Sequence, residues 1–166
     1  MSSRRDSALV EIEAAAREVA STLGLEIVEL AFHSQGKHSL LRIDIDRAGP
    51  AGVGLQDCEA LSRALDARLE ALDFFDAPYE LQVSSPGLDR PIRTAEDLRR
   101  NAGRWVRAEF RDASGRSREA VGVLRGIEAD GLVRLDDEGT VVEIPMDRIS
   151  LLKQSLTPKG RRPKDR

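Results

Sequence analysis

This chain of 166 residues contains one cysteine, Cys58, and two histidines, His33 and His38. A lone thiol cannot close an internal disulfide, which fits a reducing cytoplasm. Two histidines and one cysteine are also too few nitrogen and sulfur ligands for a closed zinc site, so no metal is expected. Aromatic residues make up 4% of the chain. That scarcity leaves the core to Leu, Val, Ile and Ala and removes the base-stacking platform of an RNA-recognition sheet. No apolar run approaches the roughly 20 residues that span a bilayer. The start, Met1-Ser-Ser-Arg-Arg-Asp6, has no apolar region behind it, so no signal peptide is expected. Nucleotide and metalloprotease signatures (G-x-x-x-x-G-K-S/T, G-x-G-x-x-G after a strand, H-E-x-x-H) and C-x-x-C are missing, and no cofactor is expected.

What the chain does have is sorted charge. The formal net charge is -3, yet residues 1–84 carry 8 basic and 15 acidic side chains. Residues 90–118 carry 9 arginines against 4 acids, and residues 119–152 carry 3 basic against 8 acidic side chains. The end, residues 153–166, has 6 basic residues and 1 acid. An acidic total thus hides local basic fields. Solvated faces and a disordered tail are the plain account of such sorting, and a high-GC genome would favour Arg over Lys. Neither explains nine arginines within one short segment.

Apolar periodicity divides the chain in two. Asp6 or Ser7 can cap a helix through Leu9, Ile12, Ala16, Val19 and Leu23 that ends at Gly24. Leu25–His33 and Leu41–Asp46 alternate around a turn at 34–37 and predict a hairpin with one wet face, carrying Asp44 and Asp46. Residues 55–72 predict a second helix through Leu55, Cys58, Leu61, Leu65, Leu69 and Leu72, with Asp57 in its first turn. Tyr79–Ser84 alternates as a strand. The order α-β-β-α-β suits a two-layer domain over residues 1–84. Ser85-Pro-Gly-Leu-Asp-Arg-Pro91 can continue neither a helix nor a central strand, and residues 85–92 read as a stiff connector. Over residues 93–153, Thr94 caps a short helix. Five short strands punctuated by glycine follow, with a 3₁₀ turn at Pro145–Ile149, and suggest a small closed barrel. Residues 154–166 read as a disordered basic tail. The fold class is α+β.

Catalytic readings find little. Ser84 and Ser85 stand at a strand-to-turn junction, but no G-x-S-x-G surrounds them and no histidine follows to act as base. Asp44 and Asp46 have the spacing of an acid–base pair, which is also that of any polar sheet face. The basic residues are more informative. Arginine offers a planar donor fork that matches phosphate, and the candidate RNA-binding residues are Arg90, Arg93, Arg99, Arg100, Arg104 and Arg107. Lys159, Arg161 and Arg162 of the tail join them. Trp105 fits a partner-facing position and the open end of a barrel equally well.

The stretch Val83-Ser-Ser-Pro-Gly-Leu-Asp-Arg-Pro91, the Asp57-Cys58 pair opening the second helix and Gly122-x-Leu124-x-Gly126 resemble the bacterial ribosome maturation factor RimP family over essentially the whole chain. Gly54 departs from the Ser or Thr common in that family, at a small cost for a helix cap. The resemblance implies a KH-like, prodomain-like first domain and a five-stranded Sm-like (SH3-like) barrel. It implies a non-enzymatic cytoplasmic factor, a monomer, that assists maturation of the small ribosomal subunit. Its partners would be the immature subunit, a basic ribosomal protein near the decoding region and ribosomal RNA. Ser84, Ser85, Pro86, Gly87, Leu88, Asp89, Arg90 and Pro91 would form the interdomain connector. Two other classes stay open: an Sm-like RNA-binding regulator, which requires a ring oligomer, and an enzyme built on Asp44 and Asp46. The connector reading has a direct consequence. Changing Pro86 and Pro91 together to Gly should leave two folded domains with a broader interdomain distance distribution in solution scattering, and an unaltered distribution would refute a stiff joint.

Overall fold

In a computed structural model, residues 2–35, 37–75 and 78–156 are described, with the backbone alone at residues 2–5 and 35. The chain divides into two compact units. The first is Met1–Arg47 with Gly52–Pro86, and the second is Ala48–Ala51 with Gly87–Arg166.

In the first unit the helical spacing of Ile12, Ala16 and Ala20 forms helix α1, Ser2–Thr22, and buries those three side chains. The helix starts earlier than its capping residues suggest, because Ser2–Asp6 contains no Pro or Gly to interrupt it. It ends as expected. Gly24 sits at φ +68, and the Gly24 and Leu25 amides donate to the Ser21 and Ala20 carbonyls at 3.1 and 2.9 Å, the paired bonds of a Schellman stop. Strands β1 (Glu26–Gln35) and β2 (His38–Asp46) pair antiparallel, and β3 (Tyr79–Ser84) lies parallel to β2. Parallel neighbours need a crossover, which helix α2 (Leu55–Leu72) provides. Asp57 accepts the Gly54 amide at 2.9 Å and pairs with Arg47 at 2.9 Å, so the glycine cap is compensated from the third helical position. Leu41, Ile43 and Ile45 of the central strand meet Ile12, Ala16, Leu61, Leu65 and Leu69 in one core. Burying each large aliphatic side chain in such a core contributes about 1.5–3 kcal/mol.

The opposite sheet face differs from its expected wetness. Asp44 and Asp46 are each only 4% exposed. Asp44 accepts the Ser84 hydroxyl at 2.8 Å and an Arg42 bond at 3.2 Å, while Asp46 accepts the Arg47 amide at 2.8 Å. Their burial is tolerated because hydrogen bonds replace the lost water.

In the second unit Thr94 caps helix α3 (Ala95–Asn101). Strands β4 (Trp105–Arg111), β5 (Ser117–Ile127), β6 (Leu132–Asp137), β7 (Thr140–Pro145) and β8 (Ile149–Gln154) form one antiparallel sheet in the order β7-β6-β5-β4-β8. Val106, Leu124, Val133, Leu135, Ile144 and Leu152 fill its core with Ile92 and Leu98. Met146–Arg148 is the expected 3₁₀ turn. The expected closure is not found: among the described residues no ladder joins β7 to β8. The outer edge of β8 is met by the entry segment instead, through a Pro91–Lys153 bridge and an Ile92 amide bond to the Leu152 carbonyl at 2.7 Å.

Gly122 shows how tightly this sheet curls. A Cβ there would lie 3.0–3.1 Å from the backbone of Asp136 in β6, closer than van der Waals contact allows. Gly122→Ala should therefore cost about 1–3 kcal/mol of unfolding free energy, measured by urea titration, and an unchanged midpoint would show that β5 and β6 can separate freely.

Candidate functional site

The structure gives the described arginines proposed from sequence unlike surroundings. Arg93 and Arg99 are exposed, and Arg99 is bound to Glu96 at 2.8 Å. Arg90 lies half-buried in a turn, its amide bonded to the Gly87 carbonyl at 3.1 Å. Arg100 and Arg104 are buried. Arg100 pairs with Asp97 at 2.8 Å. Arg104 donates to the Gly49 carbonyl at 2.8 Å and to the Asn101 side chain at 3.3 Å. Arg107 is shared by Glu119 at 2.7 Å and Glu109 at 3.1 Å. Lys159, Arg161 and Arg162 lie outside the described residues. Arg100 and Arg104 thus hold local structure together, and of these residues Arg93 and Arg99 are the exposed ones, Arg99 with its guanidinium on Glu96.

The connector residues divide between the units. Ser84 belongs to β3 through its bond to Asp44, Ser85 is exposed, and Gly87, Leu88, Asp89, Arg90 and Pro91 fall in the second unit with Pro86 closing the first. Asp89 meets Lys153 at 3.0 Å. Neither serine has a histidine beside it, since His33 and His38 are exposed side chains at the far hairpin. Burial, followed by the Asp57 charge, pushes the Cys58 thiol up, which keeps it protonated and a poor nucleophile. Among the described residues no His, Cys, Asp and Glu group could hold a metal.

Charge pairing continues along the sheet of the second unit. Arg125 binds Asp136 at 2.6 Å, and Arg134 is surrounded by Asp130, Glu143 and Glu128 at 2.8, 2.9 and 3.2 Å. The hairpin between β4 and β5 pairs only one of its three arginines, Arg118, and the sequence-derived site omits it. There Asp112 accepts the Ser114 hydroxyl at 2.6 Å, the Ser114 and Arg116 amides at 2.9 and 3.0 Å and the Arg118 guanidinium at 2.9 Å. The Ser114 hydroxyl, then Arg118 and the Arg116 amide, hold its carboxyl far below the ordinary 3.8. Arg111 donates to the Gly115 carbonyl at 2.9 Å. Among the described residues neither Arg111 nor Arg116 forms an ion pair. The signal in the sequence was Asp112-Ala-Ser-Gly115, a turn whose Asp bonds its own backbone.

The first unit presents different chemistry. On the sheet face away from the Leu41–Ile45 core, the register sets Glu29, Asp44 and Ser84 in one row. Ala31, Arg42 and Gln82 form the next, and His33, Leu40 and Glu80 the third. At the end of the sheet, a cavity of about 480 Å³ is lined by His33, His38, Leu40, Tyr79 and Glu80 among others. Acids outnumber bases on this face as they do over the whole unit.

Residues 15–89 match the family model described as the RimP N-terminal domain. The match begins inside α1, takes in the three-stranded sheet and α2, and ends within the Pro86–Pro91 segment.

Asp97 offers a test of how the second unit is held at its entry. Burial pushes its carboxyl up, but the Arg93 and Thr94 amides, the Thr94 hydroxyl and the Arg100 charge outweigh burial and hold it below the ordinary 3.8. A carboxyl lowered on folding stabilises above its unfolded value and loses that contribution as pH falls through its folded value. Asp97→Asn should lower stability by about 1–3 kcal/mol at neutral pH, with the gap to the parent narrowing below about pH 4. A gap independent of pH in urea titrations would contradict this.

Proposed function

We propose, for a chain that belongs to the RimP ribosome maturation factor family by its match over residues 15–89, that it is a non-enzymatic assembly factor for the small ribosomal subunit. It acts in the cytoplasm as a monomer on the immature particle. Its first unit meets a basic ribosomal protein, and its second unit meets ribosomal RNA.

The observation that carries this reading is the family match itself. Charge supports the division of labour. With 15 acids against 8 bases over residues 1–84, the first unit repels a phosphate backbone and attracts a cationic protein surface. Unpaired guanidinium groups are found in the second unit. Its strand order β8-β4-β5-β6-β7, with a helix in front and a 3₁₀ turn before the last strand, supports an Sm-like (SH3-like) barrel relation. A ring regulator is less well supported. Rings assembled strand to strand need two free sheet edges, and the outer edge of β8 is already engaged by Pro91 and Ile92. An acid–base enzyme on Asp44 and Asp46 is also weakly supported, because the Ser84 hydroxyl and Arg42 hold Asp44 and its backbone neighbour holds Asp46.

On a sucrose gradient of lysate the protein should co-migrate with free small subunits and be missing from complete ribosomes. Protein confined to the top of the gradient, or spread equally onto complete ribosomes, would overturn the assignment.

A further inference from the structure

We infer that the β4–β5 hairpin tip, Arg111–Arg118, is a preformed binding site for the phosphodiester backbone of RNA. The inference rests on the proposal that the second unit contacts ribosomal RNA, and it assigns that contact to residues that the reading from sequence left out.

Three properties of the tip converge. First, its shape is set before any partner arrives. One carboxylate, Asp112, takes four donors from Ser114, Arg116 and Arg118. Two backbone bonds of 2.9 Å, from the Gly115 amide to the Asp112 carbonyl and from the Asp112 amide to the Arg116 carbonyl, close the turn. A fixed turn avoids most of the ordering cost of binding.

Second, the tip has more guanidinium groups than carboxylates. Asp112 is spent on the turn and on the Arg118 Nε at 2.9 Å, and the Arg118 side chain stays 56% exposed. Arg111 leans on a neutral carbonyl. Arg107, Arg125 and Arg134 on the adjoining strands are each held by acids at 2.6–3.2 Å. A phosphate approaching the tip need not first displace a carboxylate from Arg111 or Arg116.

Third, the chemistry selects the backbone of the nucleic acid over its bases. Residues 111–118 contain no aromatic side chain on which a base could stack. Exposed planar forks on a narrow hairpin suit bidentate contacts to successive phosphates. Binding should therefore be sequence-tolerant and strongly dependent on salt.

The test uses the full chain and protein-free small-subunit ribosomal RNA, with affinity measured across a salt series. Removing both unpaired guanidinium groups by Arg111→Ala with Arg116→Ala should weaken binding about tenfold or more at 0.1 M salt and shrink the log–log salt slope by about 1.5. A double variant with the same charge loss on the first unit, Arg17→Ala with Arg63→Ala, should bind like the parent. Urea titration of the hairpin variant should match the parent, since both side chains are exposed. If the parent binds and the hairpin variant keeps its affinity and slope, the hairpin site is wrong while RNA contact by the second unit survives. If both double variants weaken binding equally, net charge replaces the site as the explanation. If the parent shows no binding, the RNA reading and the site fall together.

Discussion

A guanidinium already gripped by a carboxylate has little to offer a phosphate, and this competition governs what each unit can bind. Exposed ion pairs stabilise a fold by only about 0–1 kcal/mol each, so Arg125–Asp136 or Arg99–Glu96 contributes little to folding. Their effect on recognition is larger. Each pair removes an arginine from the pool that could settle on nucleic acid, and each places an acid where phosphate would be repelled. In a chain with 26 basic and 29 acidic residues, the charges that stay unmatched are the ones the proposed contacts rest on. Among the described residues of the second unit, Arg93, Arg111, Arg116 and Arg148 are the exposed arginines that form no ion pair. In the first unit the surplus is acidic.

The same competition explains why the fold was more legible than the site. Helix α2 and strand β3 stand where periodicity puts them, since Leu61, Leu65 and Leu69 recur every four residues and Tyr79, Leu81 and Val83 every two. Gly24 and Thr94 announce a helix stop and a helix start through backbone chemistry that needs no distant partner. Tertiary partners were not legible in this way. Whether Asp44 is wet or dry depends on Ser84, forty positions later in the chain. Whether Arg107 is available depends on Glu119 across the sheet. A count of arginines along the segment 90–118 treats all nine as equal. The structure separates Arg100, buried against Asp97, from Arg116, which meets no acid among the described residues.

Barrel closure was likewise beyond periodicity. Five alternating strands are compatible with an open or a closed sheet, and the choice turns on which segment reaches the edge of β8. Pro91 and Ile92 do so. The Pro-rich stretch that reads as a stiff connector is in part a strand-edge element, and its Asp89 carboxylate adds a bond to Lys153. The RimP resemblance carried by that stretch is upheld by the family match over residues 15–89, which reaches the same segment from the other side.

The central claim is that nucleic acid meets the second unit at its unmatched arginines while the acidic first unit stays off the phosphate backbone. Ultraviolet crosslinking of the protein on small-subunit particles, followed by peptide mapping of the RNA adducts, tests it most directly. The account predicts adducts concentrated in the peptides flanking Arg111–Arg118 and none in the strands Glu26–Asp46. Adducts concentrated in those strands, with the hairpin clean, would contradict it.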